Sequence, residues 1–354
     1  MDMGVGSKNP TPKRILIVRL SSIGDVVLSV PALCALRRKF PETRIGWVVE
    51  AQGAQLLEGH ADLDDLFVTS KAAFRSPREF FKLAKELRQW GPDVTIDLQG
   101  LAKSSLLAYF TRAETRLGFA KGDYDGREFS CWVNNQIVTP KQSHLVLRGL
   151  EILSPLGIDD QRVEFRLPEH AVDTEFLNHI RATEWSGKQY ALINVGARWI
   201  SRLWPAERYG AVASHLAEKW GLLPVILWNG DEERAIAETV QKHCSAESVT
   251  GPVCTLKQLR SIIRGAKIFV GSDTGPMHLS VAVDTPTVGM IGPMPIERTG
   301  PLGPRHRAIQ KYRLPADRKS ERRTNCEPIL SITVNDVTSA CDSILKDLHG
   351  SREA

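Results

Sequence analysis

The sequence has no run approaching the roughly 18 uncharged apolar residues that would cross a bilayer. Its opening stretch, MDMGVGSKNPTPKR, lacks the apolar segment of a signal peptide, and residues 1–13 are expected to form a flexible tail. The six cysteines (Cys34, Cys131, Cys244, Cys254, Cys326, Cys341) include no CxxC pair and follow no regular spacing. That argues against a zinc site or a disulfide framework and suits a reducing cytoplasm. A strong charge of one sign is also missing. The net charge of +5 favours an anionic ligand or membrane surface only mildly and does not imply nucleic acid. No internal repeat or low-complexity block stands out.

What is present is a globular composition, 42% hydrophobic and 25% charged, over 354 residues, enough for two domains of ordinary size. Short apolar runs alternate with longer segments of helical period, the pattern of parallel βαβ units. Strands are expected at 14–20, 44–50, 64–69, 94–99 and 116–119, then at 190–196, 223–230, 248–251, 267–273 and 285–293. The segment SPREFFKLAKELRQW predicts a helix with Ser76 as N-cap, Pro77 at the first position and Phe80, Phe81, Ala84 and Leu87 on one face. A final helix is expected from a cap at Thr333 or Asn335. The expected organisation is an N-terminal α/β domain over 14–165, a polar, turn-rich linker region over 166–188, a second α/β domain over 189–330, and a C-terminal helix and tail over 331–354. Two doubly wound domains facing each other would bind ligands in a cleft at the carboxyl ends of their strands.

Several strand-to-helix turns carry polar residues where a ligand would sit. In RLSSIGDVVLSVPAL, Gly24 permits close backbone approach and Asp25 lies in the first helical turn, where the macrodipole favours a carboxylate. Asp25 can serve as a base toward a hydroxyl, or Ser22 and Asp25 can simply cap the helix. The turn lacks both the GxGxxG of a dinucleotide fold and the GxxxxGK[ST] of a P-loop. In KIFVGSDTGPMHLSVAV, a strand runs into Asp273, Thr274, Gly275 and Pro276 at a helix start that suits an anion, a pyrophosphate best, with His278 close by. An ordinary Asp cap with Pro explains part of this stretch but not its polar cluster. Arg198 and Arg202 precede the next helix and suit phosphate oxygens, or are solvated surface charges. Asp231, Glu232 and Glu233 open a helix where a carboxylate can accept from ribose hydroxyls, although acidic residues are common there for dipole reasons.

Taken together, RILIVRLSSIGDVVLSVPAL, IDLQGLAKSS, HLVLR, GARWISRLWPAERY and VGSDTGPMHLSVAVDTPTVGMIGP, in this order and spacing, resemble the family 9 glycosyltransferases, the lipopolysaccharide heptosyltransferases. The resemblance runs from about residue 14 to about 345. It implies the GT-B fold, two facing Rossmann-like domains, and inverting transfer of heptose from ADP-heptose to the lipopolysaccharide inner core without a metal or other cofactor. By the same resemblance Asp25 is the general base. Ser22, Gly24, Arg198, Arg202, Asp231 or Glu232, Asp273, Thr274, Gly275 and His278 are donor-side positions, with Asp273 on the sugar hydroxyls and Asp231 on the ribose. Arg202 stands where the family usually has a lysine, a departure that keeps the charge and changes the shape. Gln99, Gly100, Lys103, Arg127, His144 and Arg148 match positions near the acceptor.

The resemblance further implies an enzyme on the cytoplasmic face of the inner membrane, meeting a lipopolysaccharide-precursor acceptor there; the oligomeric state is not readable. Closure of the two halves would keep water from the donor. The basic, partly aromatic segment 71–90 can rest on anionic headgroups, or be an amphipathic helix with its apolar face on the sheet. Three alternatives stay open: a family 9 transferase with another nucleotide sugar or acceptor, a sugar-nucleotide epimerase of similar architecture, and a noncatalytic binding module.

Overall fold

The computed structural model describes residues 11–122 and 126–353; most of the expected N-terminal tail, residues 1–10, lies outside the described residues. Two six-stranded sheets, each wholly parallel, form the scaffold. The first contains β1 (Arg14–Val18), β2 (Arg44–Glu50), β3 (Asp65–Thr69), β4 (Val94–Asp97), β5 (Thr115–Phe119) and β6 (Gln136–Val138) in the order β3-β2-β1-β4-β5-β6. The second contains β7 (Tyr190–Asn194), β8 (Leu223–Leu227), β9 (Val249–Thr250), β10 (Ile268–Ser272), β11 (Thr287–Met290) and β12 (His306–Ile309) in the order β12-β11-β10-β7-β8-β9. Counted within its own sheet, each has the same 3-2-1-4-5-6 order, the doubly wound arrangement.

The helices in chain order are α1 (Ile23–Lys39), α2 (Ala51–Leu57), α3 (Pro77–Trp90), α4 (Ala102–Phe110), α5 (Ser130–Val133), α6 (Leu145–Glu151), α7 (Ala171–Thr183), α8 (Ala206–Trp220), α9 (Asp231–Lys242), α10 (Leu256–Arg264), α11 (Gly275–Ala282), α12 (Ile296–Thr299), α13 (Glu327–Leu330) and α14 (Val334–Glu353). Parallel strands need these crossovers, and with both sheet faces covered the central strands read as unbroken apolar runs. Accordingly Ile15 to Val18 and Ile268 to Val270 are fully buried.

The chain divides into two compact units. Among the described residues, unit 1 comprises 11–21, 29–122, 126–142 and 146–164; unit 2 comprises 22–28, 143–145 and 165–353. In unit 1, Leu16, Val18 and Val48 pack with Leu83, Ala84, Leu87 and Leu107. In unit 2, Ile193, Ile226 and Val270 pack with Tyr209, Val212, Leu216 and the inward side of α14, Val337, Cys341 and Ile344.

Some local expectations shift and one is settled. Residues 166–188 hold more order than their turn-rich composition predicts: α7 buries Leu177 and Ile180, and the Trp185 and Tyr190 rings lie 4.7 Å apart. Helix α3 begins as read, with Glu79 N–H donating to Ser76 Oγ (3.4 Å) and Pro77 at its first position, but its inward face is Leu83, Ala84 and Leu87, while Phe81 is 54% exposed. The 3.6-residue period centres the buried stripe on Leu83 and Leu87 and leaves Phe81 well off it. The last helix is capped by Thr333, whose Oγ1 accepts from Asp336 N–H (3.2 Å) while the Asp336 carboxylate accepts from Thr333 N–H (2.9 Å). Strands β6 and β12 were not expected.

Candidate active site

In a doubly wound sheet, the crevice for ligands lies beyond the carboxyl ends of the two strands where the order reverses. In unit 2 these are β7 and β10. Asn194, the last residue of β7, donates from Nδ2 to Thr274 Oγ1 (3.3 Å) and to the Gly196 carbonyl (3.0 Å), tying the two strand ends together. Asp273 follows β10 directly, Thr274 is the N-cap of α11, and Gly275 and Pro276 begin the helix. Proline here forfeits only an N–H that has no partner inside the helix. The backbone N–H groups of the first turn and the positive end of the helix dipole can meet an anion.

The carboxylate of Asp273 is almost fully buried and multiply held. Arg202 Nη2 lies 3.0 Å from Oδ2, His278 Nε2 lies 3.1 Å from Oδ1, and Thr299 Oγ1 donates to Oδ2 (3.2 Å). Arg202 Nη1 also donates to the Asp273 carbonyl. Burial would raise the Asp273 pKa, but the Arg202 guanidinium, with His278 and Thr299, outweighs it and holds the group below the usual carboxylate range. Arg202 itself stacks over Trp199, its Cζ 4.5 Å from the ring centroid. Its planar group can hold a carboxylate and lie flat on a ring together, which an ammonium cannot do.

Gly24 joins this cluster. A Cβ at that position would come within 2.7 Å of His278 Cδ2 and 3.5 Å of Gly275 Cα, so the start of α1 meets the start of α11 through a residue with no side chain. Next along the chain, Asp25 Oδ2 accepts from the backbone N–H (3.1 Å) and hydroxyl (2.9 Å) of Ser22. The capping role considered for these residues is therefore real, and it fixes the carboxylate's orientation. His144 belongs to the same unit: it is buried, its Nε2 lies 2.9 Å from the Gly300 carbonyl, and burial lowers its pKa.

The remaining donor-side candidates are more exposed. Arg198 is exposed, and so are Asp231 and Glu232 at the start of α9. Glu233 is the carboxylate of that triplet that turns inward. It is half-buried, accepts from Asn229 N–H (2.8 Å), presses on Gly196 where a Cβ would overlap it, and has its pKa raised by burial.

The acceptor-side candidates other than His144 fall in unit 1, most of them around the ends of β1 and β4. Gln99 Oε1 accepts from Leu20 N–H (2.7 Å), and Arg19 donates to the Leu98 carbonyl. The turn is built on Asp97, fully buried, which accepts from the N–H groups of Gln99 (3.1 Å) and Gly100 (3.0 Å). Arg127 N–H donates to the Gly100 carbonyl (3.0 Å), and its side chain is exposed. Lys103 lies 3.7 Å from Glu50 Oε1 and 5.2 Å from the Phe74 ring centroid. Arg148 donates to the Gln142 carbonyl (3.1 Å) and lies over Phe119.

Residues missed in the sequence are Asn194, Thr299, Asp97 and the inward role of Glu233. Asn194 and Asp97 each occupy the last position of a switch-point strand, a signal available in the pattern itself. Elsewhere in unit 1, Cys34, His60 and Asp62 bring possible metal-ligand atoms within 4.8 Å of one another. Asp62 N–H donates to His60 Nδ1 (3.2 Å), which in a neutral ring puts the proton on Nε2 and leaves neither nitrogen available to a cation.

Comparison with known proteins decides the family. A family model described as glycosyltransferase family 9 (heptosyltransferase) matches residues 80–329. The chain belongs to glycosyltransferase family 9. Its family 9 relatives include lipopolysaccharide heptosyltransferase 1 of Escherichia coli K12, 28% identical over 298 residues that cover 79% of this chain and 88% of that protein. Lipopolysaccharide heptosyltransferase 3 of Escherichia coli is 24% identical over 279 residues, 76% of this chain and 80% of that one. Among solved structures, a family 9 glycosyltransferase from Veillonella parvula superposes with a TM-score of 0.82 at 20% identity, covering 95% of this chain and 98% of that one. The E. coli heptosyltransferase WaaC with ADP gives 0.73 at 24%, covering 94% and 99%. The fold is GT-B and the chain is a glycosyltransferase of the lipopolysaccharide heptosyltransferase family.

Proposed function

We propose that the chain transfers heptose from ADP-heptose to the lipopolysaccharide inner core, either to Kdo-lipid A or to the first heptose, with inversion at the anomeric carbon and no metal. The observation that carries this reading is the contact of Gly24 with Gly275 and His278, which gathers the Asp25 carboxylate and the anion-suited start of α11 in one unit. The E. coli heptosyltransferase WaaC has been solved with ADP and with ADP-2-deoxy-2-fluoro heptose, which supports the donor class.

In this reading Asp25, oriented by Ser22, takes the proton of an acceptor hydroxyl. The freed oxygen forms a bond to the anomeric carbon from the side opposite the diphosphate. The carbon–oxygen bond to the β-phosphate breaks, and its electron pair leaves on ADP. Charge on the leaving diphosphate is met by the N–H groups of Thr274 and Gly275 and by Arg202, which holds Asp273 at the same time. Base catalysis of this kind contributes roughly two to four orders of magnitude. Unit 2 takes the donor, with an α9 carboxylate on the ribose, and unit 1 supplies Gln99, Lys103, Arg127 and Arg148 toward the acceptor. No helix among the described residues is long and apolar enough to cross a membrane, and the proposed place of work is the cytoplasmic face of the inner membrane.

The test is ADP release from ADP-heptose with and without a heptose-deficient lipopolysaccharide acceptor. Acceptor-dependent release is expected, falling by about 10²–10⁴ in Asp25→Asn with ADP affinity kept within about twofold. Release that ignores the acceptor, or an Asp25→Asn protein of full turnover, removes the reading.

A further inference from the structure

Unit 1 carries an aromatic ladder that runs from its core to its surface. Phe74, Phe80, Phe81, Phe110 and Tyr109 meet edge to face, with ring centroids between 5.3 and 6.2 Å apart. Phe74, Phe80 and Phe110 pack against the core, whereas Phe81 and Tyr109 are 54% and 52% exposed. The core under α3 is already closed by Leu83, Ala84 and Leu87, so the outer two rings are not needed to fill it.

Charge follows the same face. Between residues 71 and 90 six basic side chains stand against two acidic ones. On α3 the helical period puts Arg78, Lys82, Lys85 and Arg88 on one outward stripe with Phe81, and moves Glu79 and Glu86 to its flank. These four cations are exposed and form no ion pair among the described residues. Across the ladder, Arg116 lies 5.5 Å from the Tyr109 ring centroid. Exposed aromatic rings set within unpaired cations match a surface that is apolar just beneath a layer of negative charge. A soluble polyanion would use the cations and gain little from the rings.

We propose that this face docks on a bilayer bearing anionic headgroups, with Phe81 and Tyr109 entering the boundary between headgroups and acyl chains. The proposal deepens the reading of a lipid-borne acceptor and rests on it for purpose, while the binding itself is testable without it.

The experiment is sedimentation of the full chain with vesicles of phosphatidylcholine alone or of phosphatidylcholine with phosphatidylglycerol, beside binding to heparin. Wild type is expected to sediment with the mixed vesicles and not with the neutral ones. Phe81→Ser/Tyr109→Ser and Lys82→Glu/Lys85→Glu should each weaken that binding by about tenfold or more, with ADP release on a detergent-dispersed acceptor unchanged. No vesicle binding by wild type, undiminished binding by both double variants, or a loss confined to the lysine variant and matched on heparin overturns the proposal. Absence of heptose transfer to any acceptor, with the vesicle pattern intact, would remove the substrate reading and leave the docking face standing.

Discussion

Two buried aspartates occupy matching places in the two sheets and behave in opposite ways. Asp97 ends β4 and Asp273 follows β10, each the fourth strand of its own sheet. Around Asp97 the partners are neutral, chiefly the N–H groups of Gly100 and Gln99, and burial pushes its pKa up. Around Asp273 burial works the same way, but the Arg202 guanidinium, His278 and Thr299 reverse the outcome. The topology supplies the same pocket at the end of the same strand. The neighbouring side chains decide whether it holds a folding hub or a fixed charge, and the chemistry of the molecule follows that choice.

The comparison breaks most severely if Asp273 is not a fixed partner of Arg202. Asp273→Ala should cost about 4 kcal/mol in urea unfolding at pH 7, because it leaves a largely buried guanidinium uncompensated. A loss below about 1 kcal/mol would mean that Arg202 finds water or another partner.

Acid should also separate the units. Unit 2 buries His306, whose pKa burial lowers to about 4, and His144, lowered in the same direction. A histidine held neutral in the fold and free to charge when unfolded gives stability that is full above about 6.5 and lost as the pH falls toward 4. For His306 that loss is at most about 3 kcal/mol. The depressed Asp273 adds to it at still lower pH, as protons reach its folded pKa. Hydrogen exchange at pH 7 and pH 4.5 should show unit 2 loosening first, and His306→Gln should lessen the difference. Equal protection of both sheets at the lower pH would contradict this.

Gly24→Ala tests the contact that joins the two helix starts. The added methyl meets the His278 ring, itself held by Asp273, and should cost about 2 kcal/mol of thermal stability together with most donor affinity. The smallest effect is expected at Asp97. Its raised pKa means that the ionised form burdens the fold at neutral pH and that this burden lifts as the pH falls below the folded value. Asp97→Asn should therefore cost under about 1 kcal/mol and be better tolerated at pH 7 than at pH 4. The reverse order would mean that the ionised form of Asp97 is favoured by a charge and not burdened by burial.

Much of this is legible in the sequence. Central strands such as β1 and β10 are unbroken apolar runs because they are covered on both faces, and periodicity finds them. Strands β6 and β12 are three and four residues long, with Gln136, His306 and Arg307 among them, and nothing in so short and polar a run separates it from a loop. In the candidate site, Asp25, Thr274, Gly275 and His278 stood out because each has a local reason to be at a helix start. Glu233 was hidden among its neighbours: three acidic residues at a helix N-terminus have equal local reasons, and only packing against Gly196 tells which turns inward. Thr299 was out of reach, since its link to Asp273 spans 26 residues with no local pattern.

The lengths of the outer strands carry a further consequence. Each sheet ends on at least one very short strand, β6 with three residues in the first and β9 with two in the second. An open sheet edge is a template on which a second chain can add its own strand, and a two- or three-residue edge gives such an intruder almost nothing to grip. At these two edges a second molecule's strand would therefore find only two or three residues to pair with, whereas the opposite edges, β3 and β12, offer five and four.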